Sequence, residues 1–127
     1  MKIERQEAAP AHYAQLIALF VLGLLFALAS WLSSLPKSSV FPQWDKIVHT
    51  TAGISLAIAF LPHIRKSAAI VFIVFLLAAL YEIVEFFIVP IAEYGSWNAY
   101  YIDTLVDLIV ATVGAWVMLK LIRKYYG

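Results

Sequence analysis

SAAIVFIVFLLAALYEIVEFFIV, residues 67–89, decides the fold. A bilayer core of about 30 Å takes roughly 20 residues of helix, and inside hydrocarbon each backbone polar group must be bonded within its own segment. A run this apolar reads as a membrane-spanning helix. HIRK, residues 63–66, precedes it, and Pro90 follows, where continuing the helix would forfeit a backbone hydrogen bond. Only its last third is polar, with Tyr81, Glu82 and Glu85.

Working outward, three more apolar runs flank this one. Residues 13–35 follow a mixed-charge start, MKIERQEAAPAH. That run is longer than the roughly 7–15 residues of a signal-peptide core, so it is expected to be retained as a span. Residues 45–62 make about 27 Å of helix at 1.5 Å per residue, enough to cross only when nearly upright. Residues 100–122 open with Asp103 and Asp107 and close on Lys120, Arg123 and Lys124, cations that suit a helix C-terminus. The expected fold is an all-α membrane protein, a four-helix transmembrane bundle forming one domain over 1–127, with spans near 13–35, 45–62, 67–89 and 100–122 and short tails.

Composition agrees. The chain is 64% apolar and 13% charged, against about 45–50% and about 25% in soluble domains, and its mean hydropathy is +0.88. Four spans leave no room for a soluble domain. Nine Lys and Arg against eight Asp and Glu create no basic field, which excludes nucleic acid as a partner. With no cysteine, disulfides, thiolate metal sites and thiol nucleophiles are excluded, and any metal must be held by oxygen or imidazole.

Cytoplasmic segments near spans are enriched in Lys and Arg. Lys2, Arg5, Arg65, Lys66, Lys120, Arg123 and Lys124 fall on one side of the four spans, and Lys37 and Lys46 on the other. Both termini are therefore expected in the cytoplasm, with the protein integral to the plasma (inner) membrane. Trp31, Phe41, Trp44, Tyr94, Trp97, Tyr100 and Tyr101 form the expected outer aromatic belt, and Tyr13, Tyr125 and Tyr126 the inner one.

The intramembrane ionisable residues all fall in the outer half. On helical rise, His49, Glu82 and Asp107 lie ~6, ~8 and ~10 Å below the outer surface. Asp45/His49 and Asp103/Asp107 are spaced i,i+4 and Glu82/Glu85 i,i+3, so each pair shares a helix face. Charged groups in lipid are costly and usually pair, line a cavity or bind something. Five carboxylates meet one nearby cation, Lys46, and a titratable His49. The excess can be neutralised by protons shared between carboxylates or by divalent cations; the residues alone leave both open. Asp45 and Asp103, near helix starts, also read as caps. Glu82, Glu85 and Asp107 sit inside helices, where capping does not account for them. Gly23, Gly53 and Gly114 read as points of close helix approach. DKIVH at 45–49 echoes DTLVD at 103–107, matching Asp45 with Asp103 and His49 with Asp107; if the echo is a repeat, the latter two face each other.

The same residues carry a resemblance. D45-K46-I47-V48-H49 resembles the Asp-Lys-x-x-His opening of a span in VanZ-like membrane proteins. Y81-E82-I83-V84-E85 resembles their Tyr-Glu-x-x-Glu/Gln stretch, and the segment from Asp107 to Gly114 their Asp-x-x-x-Asn-x-x-Gly. The Asn position is Ala111 here and the usual Arg before the last Asp is missing, while D103-T104-L105-V106-D107 is closer to the YjdF-like form. The resemblance covers about residues 44–116 and implies a small multi-span protein of the cell envelope, with no established reaction.

Two classes of function follow. In the first, a divalent metal held by some of His49, Glu82, Glu85, Asp103 and Asp107 activates water or steadies phosphate, making the protein a hydrolase of lipids or lipid-linked envelope substrates with Glu82 or Glu85 as general base. In the second, the bundle binds or transports cations or protons, or the carboxylates hold it in register as a structural envelope protein. A conduit through so few spans would call for a homo-oligomer, or for a route lined by Ser and Thr such as Ser55. A water path below Asp107 would favour transport; a closed floor would favour a one-sided site.

Overall fold

The computed structural model describes residues 4–34, 43–89 and 91–126. Lys2, Lys37, Phe41 and Pro90 lie outside the described residues. Four α-helices follow in order: α1 Glu4–Ser34, α2 Trp44–Phe60, α3 Ser67–Ile88 and α4 Trp97–Tyr126, with a short 3-10 turn at Ile91–Tyr94 before α4. The helical class expected from the sequence is observed, and α1, α3 and α4 are long and apolar enough to cross a membrane. At 17 residues, α2 is about 26 Å long, shorter than expected because the chain turns at residues 61–63. Conversely, α1 outruns its expected start by continuing through the polar N-terminal stretch, and α4 outruns its expected bounds at both ends, from Trp97 to Tyr126.

The helices run up and down. Gln15 Nε2 on α1 donates to the Ala59 carbonyl near the end of α2 and meets His63 Nε2 at 2.7 Å. The Arg123 guanidinium of α4 donates to the Arg65 carbonyl in the α2–α3 link. The ends carrying Asp45, Glu85 and Asp103 therefore lie together, opposite the end rich in Arg and Lys.

Packing is uneven. The central pair is α2 and α4, side by side; α3 packs chiefly on α4, and α1 rests on α2. Small residues make the central seam. A Cβ at Gly53 would overlap the backbone carbonyl of Ala111, and one at Gly114 would stand 3.0 Å from the Thr50 carbonyl. Gly23 is different: nothing stands within 4 Å of where its Cβ would be, so the close approach expected there is not made. It lies on α1, which touches little besides α2.

In the half away from the acidic end, Ala57, Ile70, Val74, Ala115 and Leu119 form an enclosed core, each no more than 1% exposed, with Phe60 and Leu61 packed on it. The exterior is apolar as well, with Phe87 80% and Ile88 72% exposed. In water such a continuous apolar surface would be a liability. In a bilayer it is the expected exterior.

Candidate functional site

Three helices deliver the ionisable side chains to one level. His49 projects from the second turn of α2, Glu82 from the last third of α3 and Asp107 from the third turn of α4. Glu82 and Asp107 are 5% and 1% exposed, so neither faces lipid. Among the described residues, two groups of three offer ligand atoms within 4.8 Å of one another: His49, Glu82 and Asp107; and Asp45, Asp103 and Asp107. Asp107 belongs to both.

The second group already holds a cation. Lys46 Nζ lies 2.9 Å from Asp45 Oδ2, 2.5 Å from Asp103 Oδ1 and 2.6 Å from Asp107 Oδ1. An ammonium has three donors. Two of them go to Asp45 Oδ2 and Asp103 Oδ1, while Asp107 Oδ1 is near enough for an ion pair but accepts no hydrogen bond among the described residues. Lys46 is thus the hub of a four-residue ion cluster. Asp103 stands two turns inside α4, whose start is instead served by Ser96 Oγ accepting from the Ala99 N–H, so the capping expected of Asp103 is not observed. Asp45 lies in the first turn of α2 and its Oδ1 accepts from the Lys46 N–H.

In the first group the basic side chain is His49 itself. His49 Nε2 is 3.6 Å from Glu82 Oε1 and 3.5 Å from Asp107 Oδ2, beyond the ~2.7–2.9 Å of a charge-assisted N–H···O bond. Glu82 Oε1 is buried with no hydrogen-bond partner among the described residues. Tyr81 packs edge-on against the His49 ring, centroids 5.5 Å apart at 74°, fixing the plane of the imidazole. Asp107 connects the two groups, one oxygen to Lys46 and the other toward His49.

Glu85 stands outside both groups. Its Oε1 accepts from the Tyr94 hydroxyl at 3.0 Å. Burial, together with the adjacent carboxylate, holds the Tyr94 phenol well above its ordinary range, so it remains a donor. Tyr94 and Tyr100 meet edge to face, and Phe86, Trp97 and Tyr101 extend the aromatic group. Tyr100, expected on the outer belt, is only 7% exposed.

The DKIVH and DTLVD echo has a geometric counterpart. Asp45 and Asp103 share the Lys46 ammonium, and His49 meets Asp107, because α2 and α4 run side by side from the same end. What the sequence did not reveal was Lys46 as the hub, or Tyr94 as the donor to Glu85. Lys46 was legible as the nearby cation; that one ammonium would reach two helices was not.

Fold and site together define a small helical membrane protein with a buried carboxylate–histidine centre. The chain belongs to the family described as predicted membrane protein (DUF2238), which it matches over residues 3–126. No curated protein and no solved structure matches it.

Proposed function

We propose that this protein binds one divalent metal ion through His49, Glu82 and Asp107 and uses it to hydrolyse a lipid or lipid-linked envelope substrate. The observation that carries the reading is the spacing of His49 Nε2 from two carboxylates, 3.5 and 3.6 Å. That is long for a hydrogen bond, but ligands each about 2.1 Å from a common ion stand roughly 3–3.5 Å apart. The unpartnered Glu82 Oε1 supports it, since a buried polar oxygen without a partner is costly. A mixed imidazole and carboxylate set suits zinc or a first-row transition ion better than magnesium or calcium. Three protein ligands leave room for water or substrate, and an ion there supplies Lewis acidity and an activated water.

Glu85, one turn from Glu82, is the general base on this reading, with Tyr94 orienting one carboxylate oxygen and leaving the other for a proton. Asp45 and Asp103 are committed to Lys46, so they neutralise and position rather than ligate. Lys46, in ion pairs with three carboxylates, does not serve as a phosphate clamp either. The enclosed core supports a one-sided site over a conduit. Ala57, Val74 and Ala115 each stand eight residues from His49, Glu82 and Asp107 on their own helices, about 12 Å below, and all are 0% exposed. The gathering of Arg65, Lys66, Lys120, Arg123 and Lys124 at the far end supports cytoplasmic termini and a site in the extracytoplasmic leaflet of the plasma membrane. The motif resemblance to VanZ-like and YjdF-like proteins supports an envelope role.

Elemental analysis of the detergent-purified protein, beside a Glu82→Ala, Asp107→Ala double variant, tests the ion. Near-stoichiometric metal, lost in the variant, is expected; no metal in either overturns the reading. For the chemistry, Glu85→Gln should keep the metal and lose metal-dependent release of headgroup from phospholipid or lipid-diphosphate vesicles. Equal release by Glu85→Gln would remove it as the base.

A further inference from the structure

A second feature adjoins the polar centre. Between α1, α2 and α3 lies a crevice of about 210 Å3, walled by Leu22 and Leu25 of α1, Ala52 and Leu56 of α2 and Leu77 of α3. It exists because α1 rests on α2 and α3 packs chiefly on α4, leaving a wedge where α1 and α3 scarcely touch. Its wall is apolar except at one end, where His49 and Tyr81 line it. From His49 to Leu56 the wall descends α2 by about 10 Å.

We infer that this crevice seats one hydrocarbon chain of a membrane lipid, with the lipid's polar linkage held beside His49. The inference rests in part on the reading above, since it assigns the class of substrate to that site: a lipid whose chain enters sideways from the bilayer. Three observations favour a chain over other occupants. The surrounding medium is itself hydrocarbon, as the exposed Phe87, Ile88 and Leu105 around the helices require. The volume is smaller than the roughly 300–1,000 Å3 that encloses a whole drug-sized ligand, which fits part of a chain. And the polar groups sit at one end only, so the occupant needs an apolar body and a polar end. His49 joins the two sites, facing the crevice while its Nε2 stands between Glu82 and Asp107. A lipid lodged so brings its linkage to the ion-binding atoms without crossing the packed core beneath.

The test uses the full chain in phosphatidylcholine and phosphatidylglycerol vesicles containing a phospholipid with a photoactivatable diazirine, either next to the ester or at the chain end. The ester-proximal probe should label the Val48 and Tyr81 level and the chain-end probe the Leu22 and Leu56 level. Ala52→Phe, which fills the crevice, should abolish both, while labelling of outward-facing Phe87 and Leu105 is unchanged and serves as the control for folding and insertion. Leu77→Trp fills the same space from α3 and should act alike if Ala52→Phe does not fold. Unlabelled crevice walls in the parent protein, as when a helix of a second copy fills the wedge, would overturn the inference, as would labelling that survives both substitutions. Metal content measured on the same samples separates the two readings. Crevice labelling without metal breaks the metal reading alone, and metal without crevice labelling breaks this one alone.

Discussion

Two groups of acidic side chains share Asp107 and differ in their basic member. Around Lys46, three carboxylates converge on an ammonium at 2.5–2.9 Å; around His49, two carboxylates stop at 3.5 and 3.6 Å from Nε2. The Lys46 cluster draws its cation from the chain itself, one ammonium among three carboxylates. The His49 group is the more deeply buried, and its basic member is an imidazole rather than an ammonium. If the His49 group binds an ion as proposed, neighbouring groups of like residues divide into a structural cluster and a binding site according to whether a lysine reaches the centre.

The largest effect is expected from removing the built-in cation. Lys46→Met leaves three carboxylates facing one another across α2 and α4. Breaking a buried pair costs 3–5 kcal/mol, and because these side chains are partly exposed the lower end applies, about 3 kcal/mol. Denaturant or thermal unfolding in detergent reads it, and a loss below about 1 kcal/mol would mean the ammonium is not the hub. Next is the seam that carries both groups. Gly53→Ala forces α2 away from the Ala111 carbonyl and should cost about 1–3 kcal/mol with weakened metal retention. Gly23→Ala, in open space, should be neutral or gain up to about 1 kcal/mol. Equal costs at the two glycines would contradict the uneven packing.

The smallest effect is expected at Tyr94→Phe, which removes the hydroxyl donated to Glu85. It should cost about 0.5–1.5 kcal/mol and leave metal content unchanged, since Glu85 lies outside both groups; metal loss here would place Glu85 among the ligands. Acidification sharpens the contrast from another side. Ligands must give up their protons to bind a metal, so retention should fall as the pH is lowered, while Lys46 stays charged and its cluster loses strength only as its carboxylates protonate.

Much of this was legible in the sequence, for reasons that also explain what was not. Hydropathy runs locate spans, and a rise of 1.5 Å per residue fixes depth, so His49, Glu82 and Asp107 were expected at one level. Spacing of i,i+3 and i,i+4 fixes which residues share a helix face. Neither says which faces meet. That α2 and α4 form the central pair, that α1 lies at the edge and leaves Gly23 unpacked, and that Asp103 belongs to Lys46 follow from helix order in space, which periodicity does not encode. The crevice is a consequence of the same order.

On the proposed reading, the group around His49 takes an ion and the group around Lys46 does not. Equilibrium dialysis against zinc, with bound metal counted per chain, tests it in two single variants. Glu82→Gln should lower affinity at least about 100-fold, more than loss of an outer-sphere partner costs, while Asp103→Asn should still bind one ion per chain near the parent affinity. Loss of the ion in Asp103→Asn with retention in Glu82→Gln would reverse the assignment of the two groups and contradict the account.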